Sequence, residues 1–263
     1  MLTPLILAAF ACTAPLYTQS PDEVTAFLSD IHAAHPTFEA RVAAIADAAV
    51  GTPYHDGPLG EGPGAPYDDG PQIDLTRADC VTFVEQVIAL AESHTHSETV
   101  DRLQRIRYRD GDIRFEKRNH FMLADWVHHN PFAHEVTGDL GVATETVTRS
   151  VGRKKFFGFH DAQEFIDTAT DETRSVVVIP PHAVAAAEAE IPSPSLICFV
   201  GKVDWLFALH CGLYLRDESG QGRLYHASSK ASEVVAMSLT EYMASQDGRY
   251  LGITVHRLDE PHR

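Results

Sequence analysis

The sequence predicts an α+β protein, with helices mainly in its first half and strands mainly in its second. Three observations predict it. Residues 76–91 (TRADCVTFVEQVIALA) place Cys80, Phe83, Val84, Val87, Ile88 and Ala91 at the period of a helix with one buried face. Further on, Leu209, Cys211, Leu213 and Leu215 alternate with His210, Gly212, Tyr214 and Arg216, the period of a half-buried strand. No repeat or low-complexity linker divides the chain, so residues 20–258 read as one domain.

The elements follow in order. Residues 2–16 are apolar and end in small residues, with Ala9, Ala11 and Ala14 suited to signal-peptidase cleavage. The stretch lacks a basic start and is too short to span a bilayer. We therefore read residues 1–19 as an atypical export signal or N-terminal extension and expect an exported protein. A first strand or helix of the domain is the competing reading. Ser20-Pro21-Asp22-Glu23 starts a helix, with Ser20 as cap, Pro21 in the first turn and Glu23 completing a capping box. A second helix covers about residues 38–49 and stops at Gly51. The Gly/Pro-rich run 57–70 (GPLGEGPGAPYDDG) is a loop, with Tyr54 just before it.

After the central helix, residues 94–96 read as its frayed end, and 107–115 as strand, turn and strand around Asp110-Gly111-Asp112. Residues 118–126 (RNHFMLADW) gather Asn119, His120, Asp125 and Trp126. These side chains suit a sugar- or peptide-binding cleft, with Asn119 or His120 also able to orient a catalytic base. A structural network holding a loop is the other reading. Strands follow at 147–154 and 175–179, a helix at 182–190 and a buried strand at 196–200. The alternating strand then turns at 217–222 into a second strand, 223–227. A short helix at 239–244 opens on Ser238, a last strand covers 250–257, and 259–263 read as a disordered tail.

Composition narrows the function. The chain has 263 residues, 44% hydrophobic and 22% charged, and a formal charge of −16. These values fit a soluble globular protein and disfavour nucleic acid or an anionic membrane surface as partner. His120, His128, His129 and His134 raise a metal alternative, since Asp125, His128 and His129 share a face if that stretch is helical. However, neither H-E-x-x-H nor C-x-x-C occurs, so we expect no metal and no cofactor.

The chemistry centres on Cys80. Asp79 stands where a side-chain oxygen caps the helix, which puts Cys80 in the first turn. There the helix dipole and unpaired N–H groups favour a thiolate, and the same N–H groups can stabilise an oxyanion. A cysteine nucleophile needs a base, and the base needs an orienting group. His210 and His226, on the two strands of one hairpin, supply candidates if the register brings them together. The competing reading is a small core residue and two ordinary sheet histidines. Cys198 and Cys211 read as two free buried thiols, with a disulfide between neighbouring strands as the alternative. Cys211 alternates away from His210, which makes it a poor rival nucleophile.

The motifs carry a resemblance. Gly51-Thr52-Pro53-Tyr54, Asp79-Cys80-Val81-Thr82-Phe83-Val84-Glu85, Ile106-Arg107-Tyr108-Arg109 with Gly111, Asn119-His120-Phe121 with Asp125-Trp126, His210-Cys211-Gly212 and His226-Ala227-Ser228 occur in that order. The pattern resembles the N-acetylmuramoyl-L-alanine amidase-like family, within the NlpC-type papain-like cysteine peptidases. It covers roughly residues 38–258 and departs from the family at Ser193-Pro194-Ser195-Leu196, where Gly-Asp is usual, and in the run 57–70. The resemblance implies a papain-like α+β fold in which the nucleophile helix packs on an antiparallel sheet. It implies Cys80 as nucleophile, His210 as base and His226 as the orienting residue. It also implies a place for Tyr54 in the active-site wall, beside Asp79. The expected function is cysteine-dependent hydrolysis of an amide bond in peptidoglycan stem peptides or muropeptides, by a monomer. An acyltransferase using the same thioester, and a non-catalytic peptidoglycan-binding module, are the alternatives.

Overall fold

The computed structural model describes residues 14–217 and 219–261. A short turn, Leu16–Thr18, leads into α1 (Pro21–Ala34), α2 (Phe38–Ala48), α3 (Cys80–Glu92) and α4 (His96–Arg107). Two 3-10 turns, a π-helical turn at Met122–Trp126 and α5 (Val127–His129) follow. The second half holds β1 (Ala133–Glu135), β2 (Glu145–Val151), α6 (Arg153–Phe159), α7 (Gln163–Ile166) and β3 (Glu172–Val178). It ends with α8 (Val184–Ala187), β4 (Ser195–Gly201), β5 (Ala208–Arg216), β6 (Gly222–Ser228), β7 (Glu233–Met237), α9 (Leu239–Ala244) and β8 (Tyr250–Leu258).

The main sheet has six strands in the order β1-β8-β4-β5-β6-β7, antiparallel throughout. A separate hairpin pairs β2 with β3. Helices cover both faces of the sheet, and β4 shows how. Leu196, Cys198 and Val200 enter the core shared with α1, α2, α3 and α4. Ile197 and Phe199 enter the core beneath α8 and α9. A strand buried on both faces reads as a continuous apolar run, which is the pattern of residues 196–200. Each such Leu, Ile, Val or Phe contributes about 1.5–3 kcal/mol on burial.

The caps form as expected at α1, where Ser20 Oγ accepts from Glu23 N–H and Glu23 accepts from Ser20 N–H. At α3, Asp79 accepts from the Thr82 N–H while Thr82 Oγ1 accepts from the Asp79 N–H. The run 57–70 is a loop, and it is pinned. Arg107 donates to the carbonyls of Leu59 and Gly60, Tyr108 to Glu61, and Arg118 to Glu61 and Asp68. A Cβ at Gly60 would come within 2.5 Å of the Asp68 carbonyl, so this crossing needs glycine.

Several expectations are corrected. Residues 94–96 are not a frayed end: Thr95 caps a new helix, α4, by accepting from Glu98 N–H. The strand-turn-strand at 107–115 is replaced by the end of α4 and 3-10 turns, with one isolated bridge between Tyr108 and Arg118. The first strand of the small hairpin stops at Val151, because Gly152 packs against Trp205 and α6 begins. The helix at 182–190 shortens to α8, which buries only Val184 and Ala187. The tail is held as far as Glu260: Asp259 N–H donates to Phe132 and Glu260 pairs with Arg41 at 2.5 Å. Most of the apolar N-terminal segment, residues 1–13, lies outside the described residues. Leu16 at its end is buried in the core with α1 and α2.

Candidate active site

Three elements bring Cys80, His210 and His226 together. Cys80 is the first residue of α3, half-exposed at the floor of a cavity of about 820 Å³. His210 sits on β5 beside a β-bulge: Phe199 pairs with His210 but Val200 pairs with Ala208, which leaves Leu209 as the extra residue. Such bulges re-aim side chains next to functional sites. His226 on β6 is diagonal to His210, since Leu213 pairs with Tyr225 and the register places Gly212 opposite His226. Both histidines therefore share a face. His210 Nε2 lies 2.9 Å from His226 Nδ1. The nitrogen left for Cys80 is His210 Nδ1, and His210 helps lower the Cys80 pKa.

The electrostatics favour charge separation. Cys80 is held well below the ordinary cysteine range, first by a hydrogen bond from the Cys211 side chain, then by His210, with burial opposing. Cys211 is driven well above that range by its hydrogen bond to Cys80 and by burial. The two shifts run in opposite directions, Cys80 towards the thiolate and Cys211 towards the thiol. Burial, reinforced by the charge of His210, pushes His226 down to about 3. A neutral His226 can accept at Nδ1 a hydrogen bond from the His210 Nε2–H, which would leave His210 Nδ1 for Cys80.

Other predicted residues fall into two groups. Tyr54 and Asp79 line the same cavity as Cys80. Asp79 is committed to structure as well, accepting from the N–H groups of Thr82 and Gly57. Asn119, His120, Asp125 and Trp126 do not line it. Asn119 bonds Ile106 and His129, His120 bonds the Phe115 carbonyl, and Asp125 is gripped by Arg153. Trp126 is buried and donates to Glu85 at 3.0 Å. These four hold loops in place, so neither Asn119 nor His120 orients His210. Asp125, His128 and His129 each take a different partner, and no cluster of three metal-ligating side chains occurs among the described residues.

Some lining residues escaped the sequence reading. Asp56, Lys230, Arg249 and Tyr242 reach the cavity from loops and from α9. Tyr242 packs edge-on against His226, with ring centroids 4.7 Å apart. Gly212 has a geometric role. A Cβ there would meet the Tyr225 carbonyl at 2.6 Å and His226 Cβ at 3.0 Å. We expect Gly212→Ala to destabilise the protein by about 1–3 kcal/mol and to displace His226. Urea unfolding checks the first effect; a wild-type midpoint would show that the strands absorb the methyl group.

A helix-start cysteine set against paired sheet histidines on an α+β scaffold defines the class to which this chain belongs. The chain is a member of the AmiA-like family, N-acetylmuramoyl-L-alanine amidase-like, whose model matches residues 44–253. The fold is similar to that of a Legionella pneumophila protein of the DUF1460 family, with TM-score 0.81 and 20% identity over 94% of this chain and 96% of that one. It is also similar to an N-acetylmuramoyl-L-alanine amidase from Bacteroides uniformis, with TM-score 0.64 and 22% identity over 84% of this chain and 99% of that one. No curated protein gives a match.

Proposed function

We propose that this chain is a papain-like cysteine hydrolase that cleaves an amide bond in peptidoglycan peptides. One observation carries the reading: a helix-start cysteine shares a cavity with His210, itself held by His226 at 2.9 Å. Family membership supplies the substrate class, a muropeptide or its stem peptide. Such a substrate lies in the cell envelope, which agrees with reading the apolar N-terminal stretch as an export signal.

Cys80 thiolate attacks the amide carbonyl. The Thr82 N–H is taken by the Asp79 cap, which leaves the Cys80 and Val81 N–H groups at the start of α3 to serve a developing oxyanion. Tyr54, on the cavity wall, is placed to add a hydroxyl. His210 Nδ1 passes its proton to the leaving amine, while His226 holds the opposite nitrogen. Water then attacks the acyl-enzyme, with His210 as base. No cofactor takes part in these steps.

The test is a digest of purified muropeptides read by mass spectrometry. Release of the intact stem peptide from the sugar identifies lactyl–Ala cleavage. Release of a shortened peptide, with Ala and Glu left on the muramic acid, identifies a cut within the stem. If wild-type protein releases nothing, the proposal fails.

A further inference from the structure

The hydrolytic steps leave one nucleophilic group beside the site unused. Cys211 is buried on β5, and its Sγ donates to the Cys80 carbonyl at 3.2 Å. Both residues line the same cavity, and the Cys211 side chain is near enough to lower the Cys80 pKa. Cys80, Cys198 and Cys211 are all free. Cys80 is the one that opens to solvent, through the cavity; Cys198 and Cys211 are buried. A small oxidant therefore reaches Cys80 first. We propose that Cys80 is a site of reversible oxidation by hydroperoxides, with Cys211 as the thiol that resolves it into a Cys80–Cys211 disulfide.

The chemistry balances in two steps. Cys80 thiolate attacks the peroxide O–O bond; the S–O bond of a sulfenic acid forms, and hydroxide leaves. The Cys80 sulfur gives up two electrons and the peroxide takes them. Cys211 sulfur then attacks Cys80 sulfur. The S–S bond forms, the S–O bond breaks, and the Cys211 proton leaves with the hydroxyl group as water. The resulting disulfide has no free thiolate at α3, so the nucleophile is switched off. A dithiol reductant restores it. Without a resolving thiol, sulfenic acid goes on to sulfinic and sulfonic acids, which are not reversed by thiols.

Cys198 is a rival for the resolving role, since it pairs across the sheet with Cys211. Its geometry is less suitable. Cys198 is fully buried in the core and pairs across the sheet with Thr254 on β8, the neighbouring strand on the side away from β5. It reaches Cys80 less directly than Cys211, whose sulfur bonds the Cys80 carbonyl.

The experiment reads thiol state, so it stands apart from whether the chain hydrolyses muropeptides. Folded protein is treated with hydrogen peroxide, alkylated, and digested without reductant for mass spectrometry. In wild type we expect a linked pair of peptides carrying Cys80 and Cys211, short of two hydrogens. Dithiothreitol should separate the pair and return alkylation at Cys80. In Cys211→Ala, Cys80 should proceed to sulfinic and sulfonic acid, and dithiothreitol should not return its labelling. Cys198→Ala should keep the linked pair. Sulfinic acid at Cys80 in wild type without a linked pair overturns the proposal, as does a Cys198–Cys211 link in its place. Should Cys211→Ala fail to fold, the wild-type peptide map decides alone.

Discussion

Cys80→Ala is expected to lower amide hydrolysis by about four orders of magnitude or more while leaving the protein folded. The size of the effect follows from what is removed. The proposed reaction forms a thioester on this sulfur, and no other described thiol can replace it: Cys198 and Cys211 are buried, with burial pushing Cys198 up to about 12. The small structural effect follows from position. Alanine is a good helix former, and the α3 cap rests on Asp79 and Thr82. Turnover by the alanine variant is compared with wild type by chromatography of muropeptide products, with urea unfolding alongside. Hydrolysis within tenfold of wild type would remove the nucleophile from the account.

The largest stability effect is expected one turn further along α3. Glu85 is 4% exposed, accepts from the Trp126 indole at 3.0 Å and lies 3.7 Å from Arg107. Arg107 in turn holds the loop that leads back towards Tyr54, through the Leu59 and Gly60 carbonyls. Glu85→Ala leaves the buried Arg107 guanidinium without its acidic neighbour and the Trp126 indole N–H without an acceptor. The expected cost is about 1–3 kcal/mol for each group left unsatisfied, against a total stability on the order of 5–15 kcal/mol. Urea unfolding measures it, and a cost below about 1 kcal/mol would show that Arg107 is sufficiently held by the carbonyls alone.

The same residue gives a pH dependence with a definite sign. Burial pushes Glu85 from 4.5 up to about 7, with Arg107 opposing. The folded protein therefore holds this proton more tightly than the unfolded chain. Its contribution is complete below 4.5 and is lost as pH rises through about 7. Glu85→Gln stays neutral throughout. Its stability relative to wild type should thus improve as pH rises across that window, in paired urea titrations. A difference that stays constant with pH would contradict the shift.

Much of this was legible in the sequence because it rests on short-range pattern. The 3.6-residue period and the Asp79 cap locate Cys80 at a helix start, and alternation locates His210 and His226 on a hairpin. Their meeting was not legible, because it depends on register and on the bulge at Leu209. Alternation does hold at Cys211: it faces α3, while His210 lies against Phe199 and Tyr242, and both line the cavity with Cys80. Helix α4 was hidden by its thin apolar stripe of Val100, Leu103 and Ile106, although Thr95 and Glu98 give the capping signature. The polar cluster at 118–126 left two readings open for a different reason. Asn, His, Asp and Trp serve buried hydrogen-bond networks as readily as ligands, and only the partners tell them apart.

The central claim is that Cys80 is an activated thiolate made so by its place against Cys211 and His210. The most direct test is the rate of alkylation of folded protein by iodoacetamide across pH, with Cys80 labelling followed by peptide mass spectrometry. Burial protects Cys198 and Cys211, so the rate reports Cys80. The account predicts labelling that stays rapid well below the ordinary cysteine inflection of about 8.5, and an inflection that moves upward in His210→Ala. An inflection near about 8.5 in wild type, unmoved by His210→Ala, would contradict it.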